Sequence, residues 1–241
     1  MSSSGMRGIR RKKSAVAEVK IAVIGAPSVG KSALVVRFLT KRYIGEYDHQ
    51  SEQRYRSEAV VDGEPVLFEV LDTCNKNDDD LPGAEILSWA DGLLLVYSIT
   101  DRQSFDWVKR CRLHFTEQGT WPLRLSGSSS PSLSPSPPPL DVSPSTSPPT
   151  LLLGNKADMV HLRQVSSEEG EILAKDMECQ FCEVAASDQV LQVASAFHDL
   201  YREVQSCRKR CKTSLLDRVL GANKTSRSYV RGKSDSALPK D

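Results

Sequence analysis

Gly25, Gly30, Lys31 and Ser32 stand in the spacing G-x-x-x-x-G-K-S within "GAPSVGKSALVV". Glycines at those two places let backbone N–H groups converge on anionic oxygens, and a helix that starts just after them adds its positive N-terminal end. The chemistry of such a loop is the holding of phosphate. Lys31 reaches the β and γ phosphates as a point charge, and the Ser32 hydroxyl is placed to ligate Mg²⁺. Ala26, Pro27, Ser28, Val29 and Ala33 complete the stretch that wraps the phosphates.

A second set of residues lies far downstream in "LLLGNKADM": Asn155, Lys156 and Asp158. A carboxylate accepts hydrogen bonds from N1–H and the 2-amino group of guanine together, and adenine has no such donor pair. Asp158 therefore selects the base, and the alkyl stem of Lys156 can lie along its plane. N-K-x-D alone describes many polar loops. Behind a phosphate cradle it specifies guanine, and it argues against an ATP-using P-loop kinase.

These residues need elements to hold them. "VKIAVIG" (19 to 25) is an apolar strand ending on glycine, and a helical pattern runs from Lys31 through Arg42. "RSEAVV" and "PVLFEVLD" flank Asp62-Gly63, a dipeptide suited to a tight hairpin turn, so two antiparallel strands are expected there. "GLLLVYSIT" (92 to 100) and "TLLLGNK" (150 to 156) read as strands covered by helices on both faces. Helical patterns fall at 84 to 90, 104 to 117, 167 to 178 and 188 to 206. Strands alternating with helices predict an α/β fold with a doubly wound, mostly parallel sheet. Trp89 and Phe105 take core-like positions.

The 241 residues suit one domain with additions, and a net charge of +1 with 26% charged residues creates no strong overall field. The apolar runs fall short of the roughly 20 residues that a bilayer span needs. The N-terminal stretch 1 to 18 is basic and reads as disordered, with Ser2 where myristoylation requires glycine. Between 121 and 150 the chain holds nine of its thirteen prolines and five Ser-Pro steps, the composition of a disordered insert. A phosphorylation platform, a passive spacer and sequence retained by altered splicing all fit it. The insert enters before a strand, at the end of the sheet opposite the ligand site.

From Gln205 to Asp241 ten Lys or Arg stand against three Asp. This basic tail, 207 to 241, can hold an anionic membrane loosely or act as a nuclear address. Leu238 rules out a prenylation box, and Cys207 and Cys211 are the cysteines beside the basic cluster that acylation could use. A cytoplasmic setting with free thiols is expected, with nuclear or peripheral membrane contact as further compartments. "CQFC" at 179 to 182 admits a metal or redox reading, but Phe181 and Val184 beside it favour a buried strand. The histidines are scattered without ligand spacing.

With "KSALVVRFLTKRYIGEYD", "LDT", "WADGLLLVYSITDRQSF" and "LLLGNKADM", the chain resembles the Ras-superfamily small GTPases, in particular their RERG and Ras-like branch. The resemblance covers about Val19 to Val204 without the insert. It implies a P-loop NTPase fold of six strands and five helices, binding of GTP and GDP with Mg²⁺, and slow hydrolysis of GTP. It further implies that Asp72 holds Mg²⁺ through a water and that Tyr43 sets its ring edge-on to guanine. Ala186 of "EVAAS" would touch the guanine oxygen, with Ala185 where a hydroxyl residue is usual and Ser187 where a lysine is usual. The protein is expected to be a monomer with no specific nucleic-acid partner.

Departures from the family pattern gather where hydrolysis occurs. Gln50 of "EYDHQSEQRY" replaces a threonine that ligates Mg²⁺, and its amide oxygen is a poorer ligand for a hard cation; neighbouring Ser51 offers a hydroxyl after a small shift. "DTCNKN" stands for "DTAGQE", so Asn75 replaces a glycine and Lys76 the water-orienting glutamine. Lysine has no acceptor with which to align water, so Lys76 marks an altered catalytic position beside Lys31. Pro27 replaces another glycine and crowds the space that a partner's arginine would enter. Two readings follow: a switch with slow hydrolysis, and a pseudo-GTPase that holds nucleotide and presents surfaces. The altered effector loop means that partners cannot be borrowed from the family.

Overall fold

Residues 16–45, 51–75, 77, 80–117 and 148–221 are described by a computed structural model, with side chains to residue 210. Gln50, Lys76, the bulk of the Pro/Ser insert, most of the basic N-terminus and the last part of the tail lie outside the described residues.

β1 (Ala17–Gly25) lies at the middle of the sheet because every position from Ile21 to Gly25 is buried, which suits a strand covered on both faces. α1 (Lys31–Thr40) follows it. β2 (Gln53–Val61) and β3 (Glu64–Asp72) form the expected hairpin, and Asp62 and Gly63 turn it with φ of 53° and 84°. A bidentate bond from Arg202 to Asp62 fastens that turn to the last helix. α2 (Ala84–Trp89), β4 (Gly92–Ser98), α3 (Arg102–Glu117), β5 (Thr150–Asn155), α4 (Ser167–Asp176), β6 (Gln180–Glu183) and α5 (Val190–Gly221) complete the order.

The sheet runs β2-β3-β1-β4-β5-β6, with β2 and β3 antiparallel and all other neighbours parallel. Its order reverses beside β1. The carboxyl ends of β1 and β3 therefore open onto the crevice where doubly wound sheets bind ligands.

Apolar side chains fill both faces. Phe38 of α1 stacks on Phe197 of α5 at 4.2 Å and meets Phe68 of β3 edge-on at 5.1 Å. On the opposite face α3 buries Phe105, Trp107, Val108, Cys111 and Phe115, and Tyr97 meets Phe105 at 4.9 Å. Phe105 thus takes the core position that its spacing predicts. Trp89 is only partly buried, with the Arg54 guanidinium 5.2 Å and the Lys20 ammonium 5.8 Å from its ring centre.

Several boundaries differ from the sequence reading. Thr150, where the strand reading (150 to 156) and the insert reading (121 to 150) overlap, pairs with Leu93 and belongs to β5. The "CQFC" strand is half-buried rather than buried, because β6 is the edge of the sheet. α5 runs to Gly221 instead of ending at 206, since "SCRKRCKTSLLDRVL" contains no Pro or Gly to stop it. The chain divides into two compact units, one through Gln205 and one from Ser206. No described helix is long and apolar enough to cross a membrane.

α4 begins with a complete capping box: Ser166 Oγ accepts from the Glu169 amide and Glu169 returns a bond to the Ser166 amide. Ser166→Ala should cost about 1 kcal/mol. The check is a lower urea midpoint with an unchanged slope.

Candidate functional site

The phosphate loop is built where β1 stops. Gly25 packs so closely beneath Val96 that a Cβ would collide with the Val96 carbonyl, which explains the glycine there. Gly30 has φ of +93° and lies against the Asn155 side-chain amide, so conformation and space both require glycine. Ser28 is also left-handed, at φ 59°. Alternation of this kind turns successive N–H groups inward into an anion-binding nest at the start of α1.

Lys31 lies at the bottom of the nest and is buried. Its ammonium donates to the carbonyls of Gly25 at 2.8 Å and Ala26 at 2.9 Å. A lysine has three donors, so one remains for a phosphate oxygen. Burial pushes the Lys31 pKa down to about 8, against the raising influence of Asp72 and then Cys74. A polyanion bound here would restore the proton that burial disfavours.

A cavity of about 110 Å³ opens over this lysine, lined by Pro27, Ser28, Gly30, Lys31, Ser32, Ser51, Asp72, Thr73, Cys74 and Asn75. That volume is below the range of whole-ligand pockets and suits the phosphate end of a nucleotide. Asp72 ends β3 and is buried, in register with Val23 of β1 on one side and Gln53 of β2 on the other. Ser32 and Asp72 therefore share one small chamber with Lys31. Among the described residues no cluster of three His, Cys, Asp or Glu could hold a metal by itself. Mg²⁺ needs no such cluster, because it is held by one or two side chains together with phosphate oxygens and water. The donor set of one hydroxyl and one carboxylate beside a phosphate nest fits it.

Asn155 joins the phosphate loop to the base loops. Its side chain is 2% exposed, its Nδ2 donates to the Val29 carbonyl at 2.8 Å, and its Oδ1 accepts from the Ala186 amide at 3.2 Å. It is a strut between three loops. The Ala185 amide donates to Gln189 Oε1. Lys156 adopts a left-handed backbone at φ 66°, and the Ala157 amide donates to the Val184 carbonyl, which leaves Asp158 exposed on a fixed turn. Tyr43 is 47% exposed and is not among the residues lining the phosphate chamber. Asn75 lines the chamber, and its Nδ2 donates to the Asp80 carbonyl.

Sequence reasoning missed Thr73, Cys74 and Arg37. Thr73 is buried, with its hydroxyl on the Val23 carbonyl, and pins the end of β3 to β1. Arg37 is buried and donates to the Ser187 carbonyl at 2.9 Å, tying α1 to the "EVAAS" loop. An arginine in an apolar helical run was the available signal.

The nest before α1, a hydroxyl at the start of α1 beside a carboxylate at the end of β3, and the loops after β5 and β6 have the arrangement of a P-loop site on an α/β sheet. The pattern of the Ras family matches residues 20–127 and 140–206. The chain is 42% identical over 189 residues to the Ras-related and estrogen-regulated growth inhibitor of Homo sapiens and, at the same identity, to that of Bos taurus. Those alignments cover 78% of this chain and 82% of each relative. It is 40% identical over 188 residues to the Ras-like protein family member 11B of Danio rerio, covering 76% of this chain and 67% of that one. The chain belongs to the Ras family of small GTPases.

The depressed Lys31 pKa predicts a pH effect. An unfolded lysine holds its proton to about pH 10.5, whereas folded Lys31 releases it near pH 8. Between those values the unfolded chain binds more protons, so Lys31 makes folded stability rise with pH, by at most about 1.4 kcal/mol per unit. Burial pushes the thiols of Cys179 and Cys182 up to about 12, which acts with the opposite sign at alkaline pH. Urea titrations of nucleotide-free wild type and Lys31→Met should diverge across this window, with the thiol contribution cancelling in the difference.

Proposed function

We propose that this protein binds GTP and GDP with Mg²⁺, hydrolyses GTP slowly and acts as a signalling switch. The observation that carries this reading is Asn155 bonded at once to the phosphate loop and to the Ala186 amide, which fixes a triphosphate cradle and a base reader at one spacing. Asp158 accepts from the guanine edge, and Lys156 and Tyr43 flank the base. Ala185 and Ala186 bring their backbone to the guanine oxygen. The stretch from Gly25 through Ala33 wraps the phosphates, and Ser32 and Asp72 hold the metal.

Catalysis in this reading is positional and electrostatic. Loop amides and the third donor of Lys31 meet the charge that develops between the β and γ phosphorus atoms. When bound, Mg²⁺ supplies further neutralisation of the same oxygens. The chain lacks a glutamine to align the attacking water, and Lys76 in that place cannot accept its hydrogen. Pro27 lines the chamber and narrows the approach of a partner's arginine.

A second reading, nucleotide retention without significant hydrolysis, is favoured by Asn75 on the chamber wall together with Gln50 and Lys76 in the sequence. Mass analysis of the nucleotide that copurifies with the protein, followed by single-turnover hydrolysis, separates the two. Guanine nucleotide with slow phosphate release supports the switch. Guanine nucleotide with no phosphate release supports the binding module, and no guanine nucleotide defeats both.

The protein acts as a monomer in the cytoplasm. Its basic tail contacts anionic membrane weakly and permits nuclear entry. The relatives from Homo sapiens and Bos taurus carry growth inhibition in their names, which accords with a signalling role.

A further inference from the structure

We infer that Ser51 is the hydroxyl through which the chain entering β2 reaches the bound metal, in place of Gln50; this rests on the guanine-nucleotide reading of the site. Ser51 lines the phosphate chamber together with Lys31, Ser32 and Asp72, and among the described lining residues it is the one contributed by that segment. Thr73, also on the wall, belongs to the end of β3, where its hydroxyl donates to the Val23 carbonyl. Ser32 comes from the helix start. The wall formed by the chain entering β2 therefore offers the metal Ser51.

Sheet register brings the segment entering β2 beside Asp72. Gln53 is paired with Asp72 across the antiparallel β2–β3 ladder, and directly opposed residues project to the same face. Ser51 lies in the bend two residues before β2 begins, and it lines the same chamber as Asp72. Gln53 Nε2 donates to Ser51 Oγ at 2.9 Å, which holds that hydroxyl beside the start of β2.

Chemistry agrees with the placement. A serine oxygen has two lone pairs, and Gln53 uses one of them. The other is available to a hard cation, for which a neutral hydroxyl oxygen is a suitable ligand. Gln53 acts as a positioning residue: it aims the hydroxyl without touching the metal.

The test uses the full chain loaded with a fluorescent, non-hydrolysable GTP analogue, whose release is followed as free Mg²⁺ is lowered. Mn²⁺ binding, read by electron paramagnetic resonance, is the second measurement. Ser51→Ala should raise the Mg²⁺ concentration at half-maximal release roughly tenfold or more, and Gln53→Ala should raise it less, in the same direction. Ser51→Thr keeps the hydroxyl and should restore the wild-type value, with thermal melting of each variant showing an intact fold. An unchanged Mg²⁺ dependence in Ser51→Ala, or a shift produced by Gln50→Ala in its stead, overturns the assignment while nucleotide binding stands. Failure of the wild type to retain any guanine nucleotide overturns the site reading and this assignment with it.

Discussion

Asp158→Asn should lower the affinity for GTP by roughly two to four orders of magnitude. In the proposed binding mode the carboxylate accepts two hydrogen bonds from guanine, each worth about 1.5–3 kcal/mol for a charged partner, and each 1.4 kcal/mol is tenfold. An amide offers one acceptor and one donor, so it matches a purine with N1–H beside a 2-oxo group. Affinity should move to xanthosine triphosphate while it is lost for GTP. The fold is spared, because Asp158 is exposed on a turn held by backbone bonds at Ala157 and Met159. Calorimetric titration with both nucleotides is the check, and equal loss for both would show that the variant damages the loop and not the base contact.

Lys76→Gln should accelerate single-turnover GTP hydrolysis by roughly 10- to 100-fold, towards the lower part of what a positioned proton-handling group contributes. The gain is partial because Pro27 and Asn75 still line the chamber. Glutamine restores beside its donor the acceptor that lysine lacks, at the place where the proposed reaction aligns water. Phosphate release from loaded protein measures it. An unaltered rate would assign the slow step to the chamber wall.

Much of the sheet was legible because its strands are unusually apolar: "IAVIG", "GLLLVY" and "TLLLG" are central strands buried on both faces, and periodicity reads these well. The glycines of the phosphate loop were legible for their spacing. Their steric partners, the Val96 carbonyl beneath Gly25 and the Asn155 amide against Gly30, come from strands far along the chain, and no local pattern shows them.

Asn155 shows the limit most clearly. Its motif names it as a base-loop residue, yet its bonds run to Val29 and Ala186, and its contribution is the spacing between loops. Thr73 was hidden inside "LDT" because the neighbouring aspartate attracts the chemical reading. The half-buried state of "CQFC" follows from β6 lying at the sheet edge, and edge position is a property of strand order. The end of α5 was misplaced because charge suggested a tail where backbone propensity continues a helix.

In the proposed site one cradle and one carboxylate together select a guanine nucleotide. The deciding measurement is isothermal titration of nucleotide-stripped protein in Mg²⁺, with GTP, GDP and ATP in parallel. Heat for GTP and GDP and none for ATP, with the GTP signal lost in Lys31→Met, is the predicted result. Equal binding of ATP, or no heat from either guanosine nucleotide, would contradict it.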